Sequence, residues 1–276
     1  MRSKLRQIFT KKELTLSKNI STEFIEEGYV LRKICDQDSY RNIFDIVEHG
    51  IRNSFGGTLP NLEDLHHVID KKDINKVRVG AYNILNEHTN ILDEYYRIFK
   101  PYINELIGSD LASQDKINLS IQLPNDETSL VGLHTDTASG QSEFEVVCWL
   151  PLTRAYKSNS LYIFNKHKSK EMLSKLPEYK KKGMEDLYQD YANEAGSVEI
   201  EPGNCLLFSS TLMHGNRVNL TETTRVSLNF RFKALLSPYN SIEHSEKKIG
   251  NFYRPFKISP ATKIALDFRD LSGGFR

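Results

Sequence analysis

Thr224-Arg225-Val226-Ser227-Leu228-Asn229-Phe230-Arg231-Phe232 alternates apolar and polar side chains through nine residues. Period two is the signature of a β-strand, so Val226, Leu228, Phe230 and Phe232 share one face while Arg225, Ser227, Asn229 and Arg231 share the other. A polar face carrying two guanidinium groups is ordinary if it meets solvent. If it points inward it needs a partner, because an unpaired buried charge is strongly disfavoured.

The same alternation appears upstream. In Lys116-Ile117-Asn118-Leu119-Ser120-Ile121-Gln122-Leu123 the four aliphatic residues face one way and Asn118, Ser120 and Gln122 the other. Further strands are expected at 143–150, 160–164, 197–200 and 205–209, with Gly, Pro and Asn signals between several of them. Many short strands following a helical region predict an antiparallel barrel or jelly roll with the helices packed on it.

The helical region precedes Gly108-Ser109-Asp110. Ile43, Phe44, Ile46, Val47 and Ile51 form an apolar stripe, with Ser39 as the expected N-cap and Asn53-Ser54-Phe55-Gly56-Gly57 as the stop. Pro60 opens a segment in which Leu62, Leu65, Val68 and Ile69 share a face; helical spacing continues to Leu106, and Pro101 is expected to separate two helices. Residues 1–38 show little periodicity and read as a docked arm or an early edge strand. The Lys-rich stretch 166–182 also carries Met172, Leu173 and Leu176 at helical spacing, so it reads as a solvated helical insertion rather than a nucleic-acid patch. The C-terminal stretch 237–276 is expected to cover one end of the barrel.

Composition narrows the function classes. With 37 Lys and Arg against 36 Asp and Glu, no global field recruits nucleic acid or an anionic membrane. The longest apolar run, Val146 to Leu150, is too short to span a bilayer. Cys35, Cys148 and Cys205 lack metal-binding spacing and fit free thiols in a reducing compartment. The basic N-terminus is followed by Lys11-Lys12-Glu13 instead of an apolar stretch, so no signal peptide is visible and a cytoplasmic location is expected. A small-molecule partner fits this balance.

Candidate chemistry lies in Leu133-His134-Thr135-Asp136-Thr137. On extended backbone His134 and Asp136 point to one face with Cα atoms roughly 6.5 Å apart. His214, in Leu212-Met213-His214-Gly215-Asn216, would complete a set of two imidazoles and one carboxylate if a distant strand returns beside them. Such a set suits Fe(II) with three open positions, whereas structural zinc closes its shell with a fourth protein ligand. A dicarboxylic acid co-substrate would then supply the partner that an inward Arg225 requires: one end chelates the metal, and the other meets Arg225 and Ser227.

This order of parts, His134-x-Asp136, His214, Arg225-x-Ser227, resembles the Fe(II)- and 2-oxoglutarate-dependent oxygenases. The stretches Gly203 to Gly215 and Ser158 to Phe164 look like the strands that lead to the distal histidine in that family. The resemblance runs from about Asn118 to Phe232 and is closest to the phytanoyl-CoA dioxygenase-like branch, especially bacterial members associated with carbohydrate or aminoglycoside biosynthesis. It implies one oxygenase domain over 1–276, divided into a mainly helical region (1–112), a double-stranded β-helix core (113–236) and a C-terminal cover (237–276).

It further implies Fe(II) on His134, Asp136 and His214, and 2-oxoglutarate anchored by Arg225 and Ser227, with Gln122 beside it. Dioxygen takes the last position. Oxidative decarboxylation to succinate and carbon dioxide then drives oxidation of an unactivated C–H bond. Related halogenases lack the carboxylate, so Asp136 favours hydroxylation. Asn118, Ser120 and Gln122 face either the site or solvent, Asn229 and Arg231 continue the Arg225 face toward a substrate, and Arg231 meets either an anionic substrate group or a structural carboxylate. Trp149 reads as core. The expected substrate is a small polar metabolite, such as a sugar nucleotide. The rivals are a 2-oxoglutarate-dependent protein or peptide hydroxylase and a metal-free jelly-roll binding module.

Overall fold

A computed structural model describes residues 19–239 and 246–271; the rest of the expected N-terminal arm and parts of the C-terminal cover lie outside the described residues. The strands are β1 (Tyr29–Lys33), β2 (Leu111–Gln114), β3 (Asn118–Gln122), β4 (Glu145–Pro151), β5 (Leu161–Ile163), β6 (Gly196–Ser197), β7 (Asn204–Ser209), β8 (His214–Asn216), β9 (Arg225–Ala234) and β10 (Tyr253–Lys257). Seven form a larger antiparallel sheet in the order β1-β7-β4-β9-β2-β10, with β3 also paired to β9, and three form a smaller sheet ordered β6-β5-β8.

The helices are α1 (Ile20–Glu27), α2 (Gln37–Phe55), α3 (Ile74–Glu87), α4 (Ile91–Leu106), α5 (Lys166–Tyr179), α6 (Met184–Tyr191) and α7 (Pro260–Leu271). In α2 the buried Ile43, Val47 and Ile51 follow the 3.6-residue period, and Gly50 lets α3 approach so closely that a Cβ there would lie 3.1 Å from Ala81 Cα. Asp36 is the N-cap, accepting from the Ser39 amide at 2.9 Å, so the helix starts earlier than the expected cap at Ser39. Asp36→Ala is expected to cost about 1 kcal/mol in denaturant unfolding.

Gly56 ends α2 at φ 74°, a left-handed position that glycine tolerates without cost. The segment after Pro60 forms a 3-10 turn, Leu62–His67, that buries Leu62 and Leu65 and leaves Val68 exposed. Pro101 does not separate two helices: α4 runs through it. Pro101, Arg97 and Lys100 all lie on the exposed side, so water can take the carbonyl bond that proline removes.

Helices α2, α3 and α4 cover one face of the larger sheet. Their Val47, Ile51, Leu85, Tyr95, Phe99 and Ile103 share a core with Val146, Cys148 and Leu150 of β4, Leu207 of β7, and the apolar face of β9. The opposite sheet face meets the smaller sheet, where Val147, Trp149, Leu206 and Phe208 pack against Leu161 and Ile163. Trp149 is therefore core, as its apolar setting predicts. Strand β9 is buried on both faces: Arg225, Ser227, Arg231 and Lys233 are as enclosed as Val226, Leu228 and Phe230.

The Lys-rich stretch folds as α5 and leads to α6; Met172 packs with Tyr162, Phe164 and Leu187, and Lys168 pairs with Glu171 and Glu194. The first 38 residues contribute β1, the edge strand beside β7. From the C-terminal stretch, β10 joins the larger sheet next to β2, with Tyr253 opposite Gln114. Among the described residues no helix is long and apolar enough to cross a membrane. All three cysteines are free thiols.

Candidate metal centre

His134 and His214 face each other across an isolated antiparallel bridge in which each amide donates to the other's carbonyl at 3.0 Å. The bridge brings their ring centroids to 4.3 Å. Thr135 is extended, and Asp136 begins a 3-10 turn closed by the Ala138 amide on Thr135 Oγ1 at 3.1 Å. One ligand atom from each of His134, Asp136 and His214 lies within 4.8 Å of the others.

The local chain leaves no room at the bridge. A Cβ on Gly215 would lie 2.5 Å from Tyr162 Oη and 2.8 Å from the Gly132 carbonyl oxygen. Gly132 also accepts the His134 ring bond, so Gly215→Ala is expected to push the two histidines apart and weaken metal binding by about tenfold, read by metal titration.

The ring nitrogens are already sorted. His134 Nδ1 lies 2.8 Å from the Gly132 carbonyl oxygen and His214 Nδ1 lies 2.9 Å from that of Leu212. A carbonyl can only accept, so each ring carries a proton on Nδ1, which leaves Nε2 as the nitrogen available to a metal. Burial pushes His214 down to about 4, against the pull of Asp136, which keeps the ring neutral. Burial alone would raise Asp136, but the Arg231 guanidinium that bonds both its oxygens holds it below the usual carboxylate range. Two imidazoles and one carboxylate are a donor set that fits a divalent iron site.

Arg231 grips Asp136 with both forks: Nη2 donates to Oδ1 at 2.8 Å and Nε to Oδ2 at 3.2 Å. Its Nη1 donates to Gln114 Oε1 at 3.0 Å, and Glu145 Oε1 lies 3.4 Å from Nε. Of the two expected partners for Arg231, an anionic substrate group or a structural carboxylate, the structure shows the second, since its donors are taken by carboxylates and an amide of the protein. Burial pushes Glu145 up to about 8, against the pull of Arg231. Glu145 and Tyr253 escaped sequence reasoning. The available signal was Glu145 placed directly before the apolar run Val146 to Leu150.

Arg225 is in the opposite situation. It is 3% exposed, and its bonds go to Ser227 Oγ at 3.2 Å and Ser120 Oγ at 3.1 Å. No carboxylate pairs with it among the described residues, its Nε has no partner, and burial alone pushes it down to about 10. The guanidinium sits 5.9 Å over the Trp149 ring.

The remaining candidates divide. Gln122, opposite Arg225 in register, is fully buried; its Nε2 donates to the Arg217 carbonyl at 2.6 Å and its Oε1 is unpartnered. Asn229 Oδ1 is likewise buried without a partner. Asn118 is exposed, so the β3 polar face meets solvent at that end and enters the interior at Gln122.

Comparison with known proteins adds a family. Streptomycin biosynthesis protein StrG from Streptomyces griseus is 26% identical over 165 residues, covering 58% of this chain and 65% of that protein. The chain thus matches less than two thirds of the relative's length. EctD from S. alaskensis, solved with 2-oxoglutarate and 5-hydroxyectoine, superposes with a TM-score of 0.58 at 13% identity, covering 94% of this chain and 90% of EctD. The non-heme alpha ketoglutarate dependent carbocyclase SnoK from nogalamycin biosynthesis gives 0.57 at 13% identity, covering 89% and 95%. Both show a shared fold. The phytanoyl-CoA dioxygenase pattern matches residues 39–227, well over half of the sequence. The chain belongs to the phytanoyl-CoA dioxygenase family.

Proposed function

We propose that the chain is one oxygenase domain that hydroxylates a small polar metabolite, using Fe(II), 2-oxoglutarate and dioxygen. The observation that carries this reading is Arg225, a buried guanidinium with no carboxylate partner among the described residues, on the strand face that also holds the Asp136 partner. A buried cation of this kind calls for an anion from outside the chain. The two antiparallel sheets then read as the walls of a double-stranded β-helix.

In this reading His134 and His214 hold the metal through Nε2, and Asp136 completes the protein's share of the coordination. Arg225 takes the remote carboxylate of 2-oxoglutarate in a two-pronged contact that Ser227 supports, and Trp149 walls that seat against water. The bound iron and co-substrate supply oxidative decarboxylation by dioxygen, which yields succinate and carbon dioxide and oxidises a C–H bond of the substrate. Gln122 Oε1 and Asn229 Oδ1 are acceptors free to take hydroxyl protons from a polar ligand. A carbohydrate-linked substrate is supported by the likeness to StrG, a protein of streptomycin biosynthesis.

The test is anaerobic loading with Fe(II) and 2-oxoglutarate, followed by exposure to air with a panel of sugar nucleotides and aminoglycoside precursors. A metal-to-ligand absorption band, succinate release and a product heavier by one oxygen are expected. No band and no succinate would sink the oxygenase reading; succinate without any oxidised panel member would sink the substrate class alone.

A further inference from the structure

We infer that the C-terminal strand β10 holds the metal-binding carboxylate in place through a buried chain of contacts, making Tyr253, Glu145 and Arg231 positioning residues for the metal. The inference rests on the proposed metal site. Tyr253 Oη donates to Glu145 Oε2 at 2.6 Å and accepts from the Ser142 amide at 2.9 Å. Glu145 Oε1 stands 3.4 Å from Arg231 Nε, and Arg231 holds both oxygens of Asp136.

Strand β10 also acts through a second route. Tyr253 is the register partner of Gln114, whose side chain takes the remaining fork of Arg231. The loop that follows Asp136 is fastened to the same region, since Ser142 Oγ donates to the Pro238 carbonyl at 2.7 Å and Ser210 Oγ donates to that of Ser142 at 2.8 Å. Every side chain in the relay is buried: Asp136, Arg231, Glu145, Gln114 and Tyr253 are each at most 6% exposed.

A core built only for stability gains little from such a set, because well-packed apolar residues of similar volume are often as stable or more so. A planar guanidinium fork, however, fixes the plane of a carboxylate, and Asp136 is the carboxylate that stands beside two imidazoles, with Oδ1 3.8 Å from His134 Nε2. Outer groups that orient ligands commonly change metal affinity about 10- to 100-fold when removed. The relay ties that affinity to a strand far along the chain from any ligand.

The experiment is Co(II) titration of the metal-free full-length protein, followed by visible absorption, with no 2-oxoglutarate added. Tyr253→Phe removes the hydroxyl, Glu145→Gln replaces the carboxyl group between Tyr253 and Arg231 with an amide, and Tyr95→Phe serves as control. Tyr95 is equally buried, and its hydroxyl donates to the Cys148 carbonyl at 2.8 Å on the far side of the same strand. All three variants lose a buried contact, so thermal midpoints of the metal-free proteins are recorded beside each titration.

Expected are a 10- to 100-fold weaker Co(II) affinity and a shifted d–d band for Tyr253→Phe and Glu145→Gln, with affinity and band unchanged in Tyr95→Phe. Unaltered Co(II) binding in both relay variants, or an equal loss in Tyr95→Phe, would overturn the inference. Failure of the unsubstituted protein to bind Co(II) would overturn the metal site itself and the inference with it.

Discussion

Asp136→Ala is expected to abolish 2-oxoglutarate turnover and to lower the stability of the metal-free protein by about 3–5 kcal/mol in denaturant unfolding. The first effect follows from losing the only carboxylate in the His134, Asp136, His214 cluster. The second follows from Arg231. Both of its carboxylate-facing nitrogens bond to Asp136, it is 6% exposed, and burial opposes its charge while Asp136 and Glu145 sustain it. Removing Asp136 takes away the two-pronged contact and leaves that cation only Glu145, at 3.4 Å from Nε, and the Gln114 amide oxygen. Replacing Arg231 by Met in the Asp136→Ala background is expected to restore much of the stability and none of the turnover. If the single variant were as stable as the parent, the energetic role assigned to the Asp136–Arg231 pair would fail.

Arg225→Met is expected to act in the opposite sense on stability. Among the described residues Arg225 has two serine hydroxyls and no counter-charge, so an apolar side chain of similar length removes a buried, uncompensated cation. The metal-free protein should therefore unfold at higher denaturant. Its affinity for 2-oxoglutarate should fall by about 2–5 kcal/mol, the usual cost of removing one partner of a buried charge pair, while Co(II) binding without co-substrate stays as in the parent. Equal 2-oxoglutarate affinity in the variant would refute the anchoring role. A gain in fold stability against a loss in ligand binding marks a residue kept for function.

These opposite expectations rest on two arginines six positions apart whose sequence contexts look alike. The alternation of Thr224 to Phe232 was enough to place them on one strand face, because period two is a local property. Which of them already had a partner was not local. Asp136 reaches Arg231 only because a turn sets the carboxylate against β9, and nothing near Arg225 in sequence foretells that no acid comes to it.

Other features were hidden for different reasons. Strand β8 has three residues including a glycine, β2 has four buried on both faces, and β10 contains Pro255 beside a register shift, so none shows a clean period. Pro101 misled because a proline break is avoided when the freed carbonyl faces water. By contrast, the stripe Ile43, Val47 and Ile51 and the strand at Asn204–Ser209 were readable from pattern alone, since packing there agrees with local propensity.

The paired amide–carbonyl bonds between His134 and His214 set these imidazoles side by side in the polypeptide alone, with each Nδ1 tied to a backbone carbonyl. Such a ready-made pair does not discriminate among first-row cations. Copper and zinc bind nitrogen donors more tightly than ferrous iron does, so the pair would accept them just as willingly. In a cell, the metal this protein carries is then decided by which ions are free when it folds, and recombinant preparations should emerge with mixed occupancy unless iron is supplied in excess during production.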